Sequence, residues 1–342
     1  SLNGTGVPLT PIEILVSQLI AKSPNKKMFE SNWQEIVQRT DSSRLDLNAL
    51  ITHYIFVKLS EQNSTERRNP GIRAFFSKNK YLLNNDIVFT TELNTIINNF
   101  ERVSDTINGQ LISKLNGNLR PFVSSYLFFR EDSVYLEYIL RLGILIELSE
   151  LSYSHSLFKG FLEEINLMYS QVNSISEEEL ISKIRNHILT NFAYDDVKQI
   201  LTESGISNSL LYVNEYLFAM EKGDEFNLEG KIDIEHIMPQ SGLNRENIML
   251  DAGFENQDEF REYAEKIGNK ILLEADINRG IGDAWFRTKR ENSITSGHGY
   301  VGSKFPIAKS LVNYPKGVWT KAEIEKATER ATRRIADFIF ER

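Results

Sequence analysis

Apolar residues recur along most of this chain at spacings of three and four, the period of a helix buried on one side. In the first segment Ile12, Leu15, Val16, Leu19 and Ile20 fall on one stripe, and Thr10-Pro11-Ile12-Glu13 forms a capping box with Pro at the first helical position. Ser176-Glu177-Glu178-Glu179 repeats the device ahead of Leu180, Ile181, Ile184 and Ile188. Tyr135–Leu151 and Leu210–Met220 are apolar on nearly every face, which predicts buried helices. Asn- and Ser-rich joints near Asn63–Pro70, Asn84–Asp86 and Gln171–Ser176 punctuate the pattern. No repeat of fixed period appears, and residues up to about 229 read as all-helical.

At Gly230 the period changes. Lys231–Ile237 alternates and is rich in Ile, which predicts a strand, and Lys270–Leu273 predicts a second after Gly268. Between them Asn256–Ile267 predicts a short helix with Phe260, Tyr263, Ala264 and Ile267 inward. A helix is expected to start between Asn278 and Gly282 and to carry Ala284, Trp285 and Phe286. Ser293–Gly302 reads as a Gly-containing loop. A third capping box, Thr320-Lys321-Ala322-Glu323, opens a last helix with Ile324, Ala327, Ala331, Ile335, Phe338 and Ile339 inward. The expected fold is mainly α: a helical domain, 21–229, then a small two-strand module with a C-terminal helix, 230–342.

The 342 residues allow two or three domains. Zero Cys excludes a disulfide framework and a thiolate zinc site, which fits a cytoplasmic protein. No apolar run reaches membrane-spanning length, so no membrane role is expected. The net charge of −8 argues against nucleic acid taken alone. Its distribution changes that picture, because from Arg279 to Arg342 there are 13 Lys/Arg against 7 Asp/Glu. An acidic body with a basic end suits a polyanion. On the final helix these charges read as solvated surface, whereas Arg279, Arg287, Lys289, Arg290 and Lys304, closer to the motif, read as functional, with Arg279, Lys289 and Lys304 as the candidate DNA-phosphate contacts.

Candidate chemistry concentrates in Asp233-Ile234-Glu235-His236-Ile237-Met238-Pro239-Gln240-Ser241. Phosphodiester hydrolysis needs a water activated near neutral pH, and His, with an ordinary pKa of about 6.5, suits that task. It also needs a cation against the charge that develops on the phosphoryl oxygens. Mg²⁺ takes oxygen ligands, often one or two protein groups plus waters and phosphate. Glu235 and Asn278 would supply such a sparse shell. Neighbours on a strand point to opposite faces, so Glu235 and His236 share a phosphate only if the strand twists or bulges. Asp233 lies on the face of Glu235 and is the alternative ligand, or its support. His53, His155 and His187 lie in the helical region without a second ligand-type residue at matching spacing, and His298 reads as a surface His. Trp285, Phe286, Tyr300 and Trp319 offer rings that can stack on bases, and of these Trp285 and Phe286 read as core.

The string Asp233–Ser241, followed by Asn269-Lys270-Ile271-Leu272 and Asn278-Arg279-Gly280, resembles the HNH, or ββα-metal, nuclease domains of CRISPR effectors. That resemblance implies His236 as general base, Glu235 and Asn278 as ligands of one Mg²⁺ or Mn²⁺ per site, and Asn269 as a brace for the loop backbone. Glu235 departs from it, standing where those nucleases have Asp. The chain as a whole resembles the GmrSD-type restriction endonucleases and the related SspE-like phage-defence nucleases. Their Glu-His-Ile-x-Pro, Gly-Asn-x-x-Leu-Leu, Asn, Phe-x-x-Lys, Tyr-x-x-Ser and Trp elements match Glu235–Pro239, Gly268–Leu273, Asn278, Phe286–Lys289, Tyr300–Ser303 and Trp319. The opening Leu2–Thr10 resembles the end of that family's N-terminal nucleotide-binding, DNA-sensing domain. The chain is therefore expected to be a C-terminal piece of a longer prokaryotic protein, with 1–20 closing the missing domain. The implied activity is a metal-dependent endonuclease or nickase acting on foreign or modified DNA. The alternative is a catalytically silent DNA-binding or assembly module on the same scaffold. One such site cuts one strand, so a double-strand break takes two events or two copies, which leaves a homo-oligomer open.

Overall fold

The computed structural model describes residues 8–342 apart from 44, 65–67, 116, 132–133, 149–154 and 292–298, so Leu2–Val7 and His298 lie outside the described residues. Among these residues helices dominate, and two strands form a single antiparallel pair. None of the described helices is long and apolar enough to cross a membrane.

The chain divides into two compact units. The first comprises residues 1–113, 117–139 and 154–183; the second comprises 114–116, 140–153 and 184–342. In the first unit the predicted stripe faces inward at Leu15 and Leu19. The capping box forms in both directions: Glu13 N–H donates to Thr10 Oγ1 at 3.2 Å, and Thr10 N–H donates to Glu13 Oε2 at 2.7 Å. Leu15 and Leu19 join Phe29, Ile55, Phe89 and Ile96 in one buried cluster. The Leu47–Glu61 helix crosses this core and is buried on most of its face; the Arg120–Phe129 helix packs against it. There His53, 2 % exposed, has its Nδ1 at 2.8 Å from Ser124 Oγ. Burial pushes its pKa down to about 3, helped by the nearby Arg120 charge, so it is a neutral core histidine.

The second unit begins well before the change of period at Gly230, because helices Tyr194–Thr202 and Ser209–Lys222 pack on the last helix, Lys321–Phe340. Strands β1, Ile232–His236, and β2, Lys270–Glu274, lie within this helical setting. Three expectations need correction. The segment between the strands holds an additional helix, Arg245–Asp251, and the predicted one covers Gln257–Ala264. The helix after β2 starts at Ala275 and stops at Ile281, so Asn278 sits in its middle rather than at its start. Gly282, at φ +48°, breaks it, and Phe286–Glu291 is a separate helix. Finally, the third capping box does not close: Glu323 bonds Thr320 Oγ1 and accepts from Lys316 Nζ at 2.7 Å, and Thr320 makes no side-chain bond to the helix backbone.

Candidate active site

In the antiparallel register Glu235 faces Ile271 and His236 faces Lys270. The ladder continues past β1 through Ile237 N–H, which donates to Asn269 O at 2.9 Å. Asn269 is fully buried and fixes the turn that follows His236. Its Oδ1 accepts from Met238 N–H at 2.8 Å, while its Nδ2 donates to Met238 O at 3.0 Å and Ala264 O at 3.1 Å. Gly268 admits the close approach that this arrangement requires. A Cβ there would lie 2.3 Å from Thr328 N and 2.4 Å from Ile324 O of the last helix. The Gly-Asn pair thus clamps the loop after β1 to the final helix.

Strand alternation separates Glu235 from His236, as strand geometry requires. His236 is half-buried, with Nε2 at 3.4 Å from both Glu265 Oε1 and Gln240 Nε2. Burial pushes its pKa below the ordinary value, Glu265 opposes this, and the charges of Lys270 and Lys289 reinforce it. The neutral imidazole, the form that can accept a proton, is therefore favoured at neutral pH. Glu265 also receives Lys270 Nζ at 3.3 Å, so one carboxylate bridges the two side chains that pair across the strands. Sequence reasoning missed Glu265, and no local pattern marks it.

Glu235 turns the other way, into the interior, and is 5 % exposed. Its Oε1 accepts from Lys289 Nζ at 2.5 Å and from Tyr300 OH at 3.0 Å. Lys289, 1 % exposed, also donates to His236 O at 2.7 Å. Burial raises the Glu235 pKa, while the Lys289 ammonium and Tyr300 hydroxyl pull it back. The Phe-x-x-Lys and Tyr elements of the sequence therefore converge on one buried carboxylate. This corrects two expectations. Lys289 is not available to a DNA phosphate, because its amine is enclosed and matched to Glu235. Glu235 is not paired with Asn278 in a shared ligand shell, because its oxygen is engaged on the interior side.

Asn278 instead meets Asp233, with Nδ2 at 3.4 Å from Asp233 Oδ2. Asp233 and Asn278 carry the hard oxygen donors that suit Mg²⁺ or Mn²⁺, and turning the Asn278 amide over would present Oδ1 to the same space. Two such donors plus waters make a sparse Mg²⁺ shell, so these residues fit the ion, and Glu235, held by an ammonium, does not fit in this arrangement. Among the described residues no group of three or more His, Asp or Glu gathers to hold a metal. Next to the site, Asp283 lies against Gly242, whose φ is +98°; a Cβ there would come within 2.6 Å of the Asp283 side chain. Ser241 Oγ donates to Asp283 Oδ1 at 3.3 Å, fixing the loop beyond Gln240.

The other two basic candidates differ. Arg279 is exposed, and no hydrogen bond or ion pair engages it among the described residues. Lys304 is half-buried, and its Nζ donates to Asn227 Oδ1 at 2.8 Å and to Glu229 O, tying it to the segment before β1. Phe286 is core, as expected, with its ring 5.4 Å from Trp319 and 6.1 Å from Tyr314. Tyr300 is fully buried and unavailable for stacking on a base.

No curated protein matches the chain. Residues 179–333 do match a family model, that of the GmrSD restriction endonucleases, C-terminal domain. The matched stretch contains both strands, the Ala275–Ile281 helix, and each residue of the clusters around His236, Glu235 and Asn278. Over residues 179–333 the chain is thus similar to the C-terminal domain of the GmrSD restriction endonucleases.

Proposed function

We propose that this domain is an HNH-class DNA endonuclease that hydrolyses one phosphodiester bond per site with a divalent cation, in restriction of foreign or modified DNA. The observation that carries the reading is His236: a half-buried, neutral-leaning imidazole ends the first strand of a β-β-α unit whose third element brings Asn278 to Asp233. In this reading the neutral His236 imidazole takes a proton from the attacking water. Gln240 and Glu265, both 3.4 Å from Nε2, orient the ring, and Asn269 holds the loop that carries Gln240. Asp233 and Asn278 would hold Mg²⁺ or Mn²⁺, which when bound supplies charge stabilisation to the phosphoryl oxygens and the leaving group. Because Asp233 and His236 alternate along β1, one phosphate meets both only through the twist of the strand. Arg279, one residue after Asn278, contacts a DNA phosphate without regard to base identity.

The buried Lys289–Glu235 pair favours a second reading, in which the scaffold binds DNA but does not cut. The full chain incubated with supercoiled plasmid separates the two. Cleavage is expected with Mg²⁺ or Mn²⁺, abolished by EDTA, and lowered in His236→Ala by about 10²–10⁴-fold with DNA affinity kept. Absence of nicking under any divalent cation, or wild-type nicking by His236→Ala, overturns the nuclease reading. Arg279→Ala should weaken binding to all duplexes alike and flatten the log K against log salt slope by about 0.9.

A further inference from the structure

The second unit contains a cavity of about 250 Å³ whose lining includes none of His236, Asp233 and Asn278. That volume equals roughly eight waters at about 30 Å³ each, room for one small organic molecule. Its wall is largely apolar, formed by Phe218, Ile271, Leu311, Trp319, Ala327 and Ala331. Its charged lining is mainly cationic. Lys326 and Arg330 of the last helix are exposed, and neither makes a hydrogen bond or ion pair among the described residues. Lys222 stands on the same lining from the Ser209–Lys222 helix, with its Nζ 5.7 Å from the Phe218 ring centre. The Arg334 guanidinium lies 5.0 Å from that ring centre and donates to Asn214 Oδ1 at 2.7 Å. The one acid in the lining, Glu323, is already matched by Lys316 and Thr320.

Two buried donors of the lining lack a hydrogen-bond acceptor: Arg334 Nε, which is ion-paired to Glu221 Oε2 at 3.0 Å, and the Trp319 indole, which has no such partner. Trp319 is 4 % exposed, and its Nε1–H is buried with no acceptor. Buried polar groups without partners are rare in folded proteins, and each calls for an account. Here the indole belongs to the wall of a cavity whose side chains offer cations and almost no free acceptor. An anion with a hydrogen-bond acceptor would satisfy the indole and the cations at once, and an apolar body would fill the slot between aliphatic and aromatic walls.

We propose that this cavity is a binding site for a small organic anion: a single ring or short apolar body bearing a carboxylate or phosphate. The apolar body rests on Phe218, Ile271 and Leu311. An acceptor atom takes the Trp319 Nε1–H, and the charge sits at Lys326 and Arg330. Ile237, the residue after His236, shares the cavity wall, so an occupant touches the backbone that leaves β1. The surplus of basic side chains on the last helix, read from sequence as solvated surface, thereby includes two residues with a ligand.

The chain has three Trp, so ¹⁵N-labelled indole gives three N–H signals, assignable by elimination with Trp33→Phe and Trp285→Phe. Titrating the full chain with phenyl phosphate should shift the Trp319 signal along a saturating curve. Inorganic phosphate and phenol, each carrying half of the recognised chemistry, should bind at least about tenfold more weakly, a 1.4 kcal/mol difference. Lys326→Gln with Arg330→Gln, two exposed positions that leave the fold intact, should weaken phenyl phosphate binding by about tenfold or more. A non-saturating Trp319 shift, equal affinity for phenol, or unchanged affinity in the double variant overturns the proposal.

Discussion

Replacing Lys289 with Met tests whether Glu235 is an internal brace. The parent ammonium lies 2.5 Å from Glu235 Oε1 and 2.7 Å from His236 O, with both side chains almost fully enclosed. Without it, Glu235 keeps only the Tyr300 hydroxyl. If the carboxylate stays ionised, breaking a buried pair destabilises by about 3–5 kcal/mol. If it takes up a proton instead, the work at pH 7 is about 1.4 kcal/mol for each unit above its ordinary value of 4.5, or roughly 3 kcal/mol. Both routes predict a loss of about 3–4 kcal/mol, with about 1 kcal/mol more for the lost bond to His236 O. The sign of the pH effect follows. Burial raises the folded-state pKa of Glu235, so stability is fully present below 4.5 and is lost as pH rises through the raised value. The penalty in Lys289→Met should therefore shrink to about 1 kcal/mol near pH 4.5. Adding Glu235→Gln should restore most of the loss at pH 7, with a coupling of at least about 1.5 kcal/mol. Guanidinium unfolding in a Trp33→Phe background reports on the second unit, where Trp285 and Trp319 reside. A Lys289→Met variant within about 0.5 kcal/mol of its parent at pH 7, or no rescue by Glu235→Gln, would refute the brace. Stabilisation by Mg²⁺ that disappears in Glu235→Gln would return Glu235 to the metal.

Three further outcomes are expected. Asn269→Ala strands the Met238 N–H and two carbonyls and should lower stability by about 3 kcal/mol; Asn269→Asp cannot rescue it, having no donor, and hydrogen exchange at Met238 that remains as slow as in the parent would contradict this. Glu215 is fully buried, accepts from Ile307 N–H at 2.7 Å, and is pushed up to about 8 by burial, so its contribution is intact below pH 4.5 and fades as pH rises toward 8. Glu215→Gln should exceed the parent by up to about 4 kcal/mol at pH 8 and converge with it near pH 4.5, and parallel pH profiles would exclude the protonated carboxyl. His53, pushed down to about 3, stabilises the first unit above pH 6.5 and withdraws that support as pH falls toward 3. His53→Gln should therefore flatten the acid limb, worth about 3 kcal/mol at pH 4.5, read from Trp33 fluorescence.

What the sequence determined by itself was whatever depends on neighbours along the chain. The capping boxes at Thr10 and Ser176 close because their partners lie three residues apart, and the helix itself sets that distance. The inward faces of the helices and the two strands follow from periods of 3.6 and 2, fixed by backbone geometry. The Asp233–Ser241 motif marked the candidate site, and strand alternation already implied that Glu235 and His236 diverge. The tertiary structure decided which side chain reaches which. The box at Thr320 has the same letters as the others, but Lys316 and the Thr320 hydroxyl capture Glu323. Lys289 reads as a surface cation until packing delivers it to Glu235, 54 positions earlier. Asn278 meets Asp233 rather than Glu235 because the Ala275–Ile281 helix starts immediately after β2, and Glu265 reaches His236 from a segment with no motif. Such pairings depend on the relative placement of elements far apart in the chain, and that placement is set by the summed packing of the unit, which no local spacing records.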